Sequence, residues 1–332
     1  MDVQFGLVLQ AVDPPDAFRQ HVRAIEAGGF THLWLTDSSL HARDCYAYLT
    51  LAALESRALR LGTAVTHPYS RHPAVNLVAI TTVDELSGGR ALYGIGSGDR
   101  PVTELGLAPA RVGVVREMVA ASRRLLAGET VSWDGAAFRL HDATLRYARR
   151  ESLPIYLAAS GPRMLELVGE VADGGLILAG QNAASVRYVQ EHVARGAQRA
   201  GRDASSVELV YMLYGSVNAD RRLARDESRT MAAWFAQTAP QYAEMAGVEP
   251  ALVARIRDAY GGSEFHHARA AADLCPDAMV DALTFANTPD SAIARIEALV
   301  ALGVRAFNLF PMGGGRWGTI QAFMEQVIPR FR

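Results

Sequence analysis

Lysine is absent from this sequence, because all 33 residues counted as lysine or arginine are arginine. Schiff-base aldolases, pyridoxal-phosphate enzymes and nucleotide hydrolases with a Walker A motif need a lysine amine for covalent chemistry or for phosphate contact. The absence of lysine therefore excludes these three classes of enzyme.

Cysteine is scarce, since Cys45 and Cys275 are the only two in the chain. Two thiols are too few for a disulfide framework or for a thiolate zinc site, so we expect no bound metal. The formal net charge of -2 provides no basic surface for a nucleic-acid backbone or for anionic lipid. These observations argue against nucleic acid and membrane as partners and leave a small-molecule substrate.

Long hydrophobic runs are missing as well. No uninterrupted apolar segment reaches the ~20 residues that a membrane-spanning helix needs. The stretch from Met1 to Gln10 lacks the charged region and the small-residue cleavage site of a signal peptide, and it has the pattern of a β-strand. We therefore expect a cytoplasmic protein.

Short apolar runs alternate along the chain with longer segments of helical periodicity. The first run is Phe5 to Gln10, and a helix is expected from Pro14 to Ala27. Eight strands separated mostly by helices predict an α/β fold, a parallel (β/α)8 TIM barrel, with a doubly wound open sheet as the alternative. The other seven strands are expected at His32 to Thr36, Arg60 to Thr66, Ala91 to Ile95, Pro154 to Ala158, Gly175 to Leu178, Val207 to Gly215 and Arg305 to Phe310.

The length of 332 residues permits two domains, but α/β barrels often reach this size as one unit, so we expect residues 1–332 to form a single TIM-barrel domain. Residues 128–152 contain the turn Trp133, Asp134, Gly135 and predict a hairpin-like insertion. Residues 220–288 have helical spacing and predict a helical insertion between strands 7 and 8. The helical insertion is a candidate lid.

Polar side chains follow the predicted strands, at the end where TIM barrels place their reacting groups. Asp37 and His41 follow the second strand, and His67 follows the third. Asp37 either caps a helix or lies beside a redox ring, where it orients the ring or relays a proton. Each histidine either makes a structural hydrogen bond or takes part in proton transfer.

Three strand ends are rich in glycine, which admits positive φ and presents bare N–H groups to a ligand. They are Gly96 to Gly98, Ser160 to Pro162 and Gly313 to Gly315. Ser160 is expected to cap a helix with Pro162 near its first position, and such a helix start offers N–H donors to a phosphate. A cap without a ligand is the alternative, but the coincidence of the first two loops favours a phosphate-bearing cofactor.

The segment from Leu61 to Ser97 resembles the luciferase-like superfamily of flavin and deazaflavin oxidoreductases. Within it, the likeness is closest to the methylenetetrahydromethanopterin reductases and related enzymes that use coenzyme F420, a deazaflavin. The likeness covers nearly the whole chain and is weakest from Asp220 to Asn287. Further matching motifs are Trp34 to Asp37, the turn ending at Asp99, PIYLAASGP at Pro154 to Pro162, and TPDSAIARIEALVALG at Thr288 to Gly303.

The resemblance implies a luciferase-like barrel with a non-prolyl cis peptide between Ala64 and Val65, behind the cofactor ring. It also implies that Asp37 lies near the pyrimidine edge of that ring. Gly174 and Gly175 would add backbone room beside the cofactor. The residues that would line the ribityl and phosphate portion are Gly96, Ser97, Gly98, Ser160, Gly161, Pro162 and Gly175.

Two positions depart from the pattern of the reductases. Val8 stands where they carry a carboxylate on the first strand, and Ser38 stands where they have a histidine directly after the aspartate. His41, His67 and Tyr69 are nearby donors that can replace that histidine. The resemblance thus implies catalytic roles for Asp37, His41 and His67.

These observations together predict an F420-dependent oxidoreductase that transfers a hydride to or from a small organic or pterin-like substrate. A two-component monooxygenase that uses reduced FMN is the first alternative. A non-catalytic flavin-binding protein is the second, because a fold does not by itself prove activity. The resemblance also implies a homodimer.

Overall fold

The computed structural model describes residues 3–147, 150–260 and 268–332. Ten strands and fourteen α-helices occur in these ranges. The strands are β1 (Gln4–Leu9), β2 (His32–Leu35), β3 (Arg60–Thr63), β4 (Ala91–Ile95), β5 (Val131–Asp134), β6 (Arg139–Ala143), β7 (Ile155–Ala159), β8 (Gly174–Ile177), β9 (Glu208–Gly215) and β10 (Ala306–Pro311).

The helices fall mainly between consecutive strands, as a parallel sheet requires. They are α1 (Pro15–Ala27), α2 (Cys45–Glu55), α3 (Pro73–Leu86), α4 (Arg100–Thr103), α5 (Val112–Leu126), α6 (Pro162–Val171), α7 (Ala183–Arg199), α8 (Arg221–Thr238), α9 (Pro240–Met245), α10 (Pro250–Ala259), α11 (Arg269–Ala272), α12 (Asp277–Leu283), α13 (Pro289–Ala301) and α14 (Arg316–Ala322). None of the helices in the described ranges is long and apolar enough to cross a membrane.

Eight of the strands form a closed barrel in the hydrogen-bonded order β1-β10-β9-β8-β7-β4-β3-β2. The predicted (β/α)8 barrel is confirmed, and the doubly wound open sheet is wrong because the sheet has no free edge. Each of the eight strands overlaps the segment expected from the sequence. The third ends at Thr63 and not at Thr66, and its ladder resumes only in the isolated bridge between Thr66 and Ile95.

The chain also divides into two compact units, which are described separately. Unit 2 comprises Val8–Leu176 and His192–Glu208, and unit 1 comprises Met1–Leu7, Ile177–Glu191 and Leu209–Arg332. The single domain over residues 1–332 stays a prediction. Residues 1–2, 148–149 and 261–267, which belong to the predicted domain and insertions, lie outside the described residues.

In unit 2 two glycines make room for two aromatic rings. A Cβ added at Gly62 would lie 2.4 Å from Trp34 Cε3, and one added at Gly174 would lie 2.2 Å from Tyr156 Cε1. The rings of Trp34 and Tyr156 meet edge to face, with centroids 5.4 Å apart. Because β2 and β7 are separated by β3 and β4, this contact places both rings in the barrel interior.

The segment between β4 and β7 in unit 2 contains an antiparallel hairpin of β5 and β6, with Trp133 opposite Leu140. The Trp133 ring stacks on Phe138 with centroids 6.3 Å apart. A hydrogen bond of 3.0 Å between His72 Nε2 and the Arg139 carbonyl connects the hairpin to the start of α3.

Unit 1 contains β9, β10 and a run of helices from α8 to α12. Arg225 and Arg229 of α8 form ion pairs of 2.6 Å with Asp281 and 2.7 Å with Asp277, respectively. Phe5 of β1 stacks against Phe307 of β10, with ring centroids 5.9 Å apart. The two ion pairs hold α8 against α12, and the ring contact joins β1 to β10.

Candidate functional site

The C-terminal ends of β2, β3, β4 and β7 are neighbours in the barrel, and all four belong to unit 2. Most of the predicted site residues lie there. Asp37 follows β2, Ala64 to His67 follow β3, Gly96 to Gly98 follow β4, and Ser160 to Pro162 follow β7. The structure therefore brings these residues to one edge of the barrel.

A layer of small residues lies at this edge. Strand side chains alternate between two faces, so the residues two positions beyond the interior Trp34, Gly62, Gly94 and Tyr156 point the same way. The Thr36 hydroxyl in this layer is buried without a hydrogen-bond partner among the described residues. The layer consists of Thr36, Ala64, Gly96 and Ala158.

The peptide bond between Ala64 and Val65 is cis, as expected. Val65 packs closely on the next strand end, because a Cβ added at Gly96 would lie 2.5 Å from Val65 Cγ2. Gly96 N donates to the Thr66 carbonyl at 2.8 Å. Only glycine at position 96 allows this close approach.

Asp37 is almost fully buried, with 4% of its surface exposed. Its Oδ2 accepts a hydrogen bond of 2.8 Å from Thr66 Oγ1 and one of 2.5 Å from Arg71 Nη1. Asp37 caps no described helix; Asp44 caps α2 instead and accepts from Tyr46 N and Ala47 N at 3.0 Å each. Asp37 is thus one partner of a buried ion pair, and its Oδ1 keeps acceptor capacity.

Arg71, which was not predicted from the sequence, is the other partner of this buried ion pair. Nη2 donates to Asp44 Oδ2 at 2.5 Å, and Cζ lies 5.1 Å from the centroid of the Tyr46 ring. Burial alone would lower the pKa of Arg71, but Asp37 and Asp44 outweigh it and raise that pKa. An arginine directly before the His-Pro start of α3 was the available signal, but its carboxylate partners are far away in the sequence.

His67 is 1% exposed. Its Nδ1 accepts weak hydrogen bonds from Tyr69 N and Ser70 N, each 3.4 Å long, so the neutral ring carries its proton on Nε2. Nε2 is buried without a hydrogen-bond partner among the described residues. Burial lowers the pKa of His67, Asp37 raises it, and Arg71 lowers it. A buried donor of this kind costs free energy unless a ligand or water accepts from it.

His41 lies apart from the contacts around Asp37. Its Nε2 pairs with Glu104, the residue directly after α4, and about a quarter of each side chain is exposed. This pair links the loop after β2 to the loop after β4.

The loop after β4 is fixed by its own contacts. Gly98 has a φ of +84°, and an added Cβ would lie 2.2 Å from Val102 Cγ2 and 3.5 Å from His67 Cβ. Ser97 O accepts from Ala110 N at 2.6 Å. Asp99 caps α4, and burial raises the pKa of its carboxyl.

The helix cap predicted at Ser160, after β7, is wrong. Gly161, not Ser160, is the N-cap of α6, and it makes no side-chain cap hydrogen bond. Its extended backbone, φ -85° and ψ 161°, is what the residue before a proline favours. A Cβ added at Gly161 would meet no described atom within 4 Å. The start of α6 therefore borders open space on the side where a Gly161 side chain would lie.

Two other glycine groups have explanations within the protein. Gly174 and Gly175 lie inside β8, not before it, and away from its C-terminal end; the space at Gly174 is taken by Tyr156. In unit 1, a Cβ added at Gly313 would lie 2.4 Å from Glu227 Cδ, and Gly315 N donates to Glu227 Oε1 at 3.0 Å. The loop after β10 therefore accommodates the protein's own carboxylate.

Residues 2–306 match the family model of the luciferase-like monooxygenases. The chain belongs to this family. This luciferase-like chain is 33% identical over 328 residues to the 5,10-methylenetetrahydromethanopterin reductase of Methanolobus tindarius, which covers 98% of the chain and 99% of the relative. It is 27% identical over 322 residues to the F420-dependent glucose-6-phosphate dehydrogenase of Beutenbergia cavernae, covering 92% and 90%.

The solved structures include a relative of the luciferase-like chain with the same barrel. The coenzyme F420 dependent tetrahydromethanopterin reductase from Methanopyrus kandleri superposes with a TM-score of 0.85 at 26% identity, covering 100% of both chains. The resemblance inferred from the sequence is confirmed.

The arrangement fits a flat ring with a phosphate-bearing chain. The residues of the layer have short side chains, and Thr36 and His67 provide buried polar atoms without partners among the described residues. The open start of α6 at Gly161 suits a phosphate. No group of three or more metal-ligating side chains occurs in the described part of the chain.

Proposed function

We propose that this luciferase-like protein is a coenzyme F420-dependent oxidoreductase that transfers a hydride to or from a small organic or pterin-like substrate. The observation that carries the proposal is the set of four neighbouring strand ends in unit 2, where small residues, buried polar atoms and an open helix start coincide. The relatives include F420-dependent enzymes that act on two different substrates, which supports the cofactor but leaves the substrate open.

Each strand end would hold a different part of the cofactor. Ala64, Val65 and Gly96 would lie along the ring, with Asp37 Oδ1 accepting from its polar edge. The ribityl and phosphate portion would follow the loops after β4 and β7, which contribute Ser97, Gly98, Ser160, Gly161 and Pro162. Gly175 lies inside β8 and would contribute through backbone packing only.

A bound deazaflavin supplies the hydride-transfer chemistry, and the protein supplies position and charge. Asp37 is oriented by Thr66 and Arg71, so it presents a fixed carboxylate. His67 holds a proton on Nε2 and would donate a hydrogen bond from this buried atom to a bound ligand. His41 pairs through Nε2 with Glu104 at a partly exposed place, so its side chain is the proposed contact of the site with solvent.

The test is a comparison of cofactors on the ligand-free protein. We expect F420 to bind at least ~10-fold more tightly than FMN, a difference of about 1.4 kcal/mol, in a fluorescence titration. We also expect reduced F420 to be oxidised by one or more of a panel of imines, enones and ketones. Tighter binding of FMN with substrate-dependent oxygen consumption would establish the monooxygenase instead. Binding of F420 without turnover of any substrate would indicate a cofactor-binding protein.

We also propose that the protein is a homodimer that associates through α2 and α3. Three apolar side chains on one face of α3 are exposed, Val75 to 55%, Val78 to 41% and Leu86 to 46%, and Leu54 of the neighbouring α2 is exposed to 66%. Apolar residues clustered at helical spacing favour association with another surface.

Val78→Asp is expected to convert the dimer to a monomer in light scattering, because burying the new carboxylate in an apolar interface is unfavourable. Leu223→Asp is the control, since Leu223 is 44% exposed on α8 and lies outside the patch. A dimer in both variants would rule out this face.

A further inference from the structure

Arg71 joins the loops that follow β2 and β3. Its two terminal nitrogens donate to Asp37 Oδ2 and to Asp44 Oδ2, each at 2.5 Å. The guanidinium group is planar and its donors form a rigid fork, so the two bonds fix the orientation of both carboxylates. The fork also lies over the Tyr46 ring, which limits its movement.

Asn76 connects the same cluster to the backbone of His67. The Tyr46 hydroxyl donates to Asn76 Oδ1 at 3.3 Å, and Asn76 Nδ2 donates to the His67 carbonyl at 3.1 Å. Thr66, directly before His67, donates to Asp37. Asp37, Arg71 and the backbone at His67 are therefore parts of one hydrogen-bonded network.

We propose that Arg71 is a positioning residue of this network: it orients the Asp37 carboxylate and offsets its charge beside His67, a buried ring that carries its proton on Nε2. The position of the proton follows from geometry, because two backbone N–H groups point at Nδ1. The functional meaning of this inference rests on the proposed function, because the His67 Nε2–H group would donate a hydrogen bond to the bound cofactor or substrate.

The charges near His67 act in opposite directions. Burial lowers the pKa of His67, and the Asp37 carboxylate raises it. Arg71 lowers it again, so removing Arg71 leaves a buried carboxylate that favours a second proton on the imidazole. Burial also raises the pKa values of the other titratable groups in this region, which keeps the thiol and the phenols neutral; these groups are Asp99, Cys45, Tyr46 and Tyr93.

A neutral His67 donates a hydrogen bond without adding a charge, while Asp37 Oδ1 accepts one. Such a pair suits an uncharged ligand edge with a carbonyl or imine acceptor, and the Asp37 carboxylate repels a phosphate or carboxylate at the same place. The acceptor belongs either to the cofactor ring or to the substrate.

The experiment is a nitrogen-15 NMR titration of histidine-labelled, ligand-free protein, with the His67 signal assigned from His67→Gln. Wild type is expected to show the neutral Nε2–H form at pH 7. Arg71→Gln is expected to raise the pKa of His67 by ~1 unit, and Asp37→Asn is expected to lower it. Arg71→Lys keeps the charge and is expected to restore the pKa of His67.

Asp44→Asn is the matched control, because it leaves the Asp37–Arg71 pair in place, and the exposed His141 is the internal reference. An imidazolium or an Nδ1–H ring in wild type, or an unchanged His67 pKa in a folded Arg71→Gln variant, would overturn the proposal. Because no cofactor is needed, failure of F420 binding would refute the proposed function without affecting this result.

Two additions to the wild-type sample identify the acceptor. If the cofactor supplies it, F420 alone shifts the His67 Nε2 signal. If the substrate supplies it, the shift also requires a simple ketone such as cyclohexanone. No shift with F420 bound and ketone present would refute the ligand contact.

Discussion

Asp37→Asn is expected to reduce kcat/KM for F420-dependent turnover by about 100-fold or more, because the site loses its oriented carboxylate. The same change removes the charge that compensates Arg71, whose side chain is 20% exposed. We therefore also expect the free energy of unfolding to fall by about 1–3 kcal/mol. Steady-state kinetics and urea denaturation measure the two effects separately.

Asp44→Asn separates the role of Asp37 from that of Arg71. Asp44 is the other carboxylate on the same guanidinium, but its side chain is 49% exposed, and an exposed ion pair contributes at most about 1 kcal/mol. Asparagine is as good an N-cap as aspartate, so α2 keeps its start. We expect activity within about threefold of wild type. An equal loss in both variants would assign the effect to Arg71 and would contradict a direct role for Asp37.

The barrel was predictable because each of its strands is a short apolar run buried on both faces. The ends of those runs also located Asp37, His67 and the loop at Gly96, since a parallel barrel collects its C-terminal strand ends at one edge. The cis bond at Ala64 came from resemblance to a family and not from the local residues. The strand pattern thus predicted where the site residues lie, and the family resemblance predicted the unusual backbone between them.

Contacts between distant segments were not predictable in the same way. Arg71 acquires its role from Asp37, 34 residues earlier, and no periodicity in either segment indicates the pairing. The same reason explains why the loop at Gly313 was wrongly expected to approach a ligand. Glycine, which has no side chain, makes room there for Glu227 of α8. At Ser160 the local rule itself was misapplied, because the proline at 162 places the cap at Gly161.

Gly161 allows a direct test of where the cofactor lies. Alanine and valine both tolerate the backbone at this position, and an added Cβ has no described neighbour within 4 Å, so Gly161→Ala and Gly161→Val should leave the free energy of unfolding within about 1 kcal/mol of wild type. If the cofactor's phosphate portion packs against α6, however, the new side chain takes its place. We expect F420 affinity to fall by about 10-fold for alanine and 100-fold for valine, measured by fluorescence titration.

Gly113→Ala is the matched control for this prediction. Gly113 lies in the first turn of α5, near a helix start as Gly161 does, and an added Cβ there meets no described atom within 4 Å. It lies outside the proposed cofactor lining, so alanine should stabilise α5 by up to about 1 kcal/mol and leave F420 affinity unchanged. Unchanged affinity in Gly161→Val would place the phosphate portion elsewhere, because a ligand against the start of α6 cannot share space with two added methyl groups.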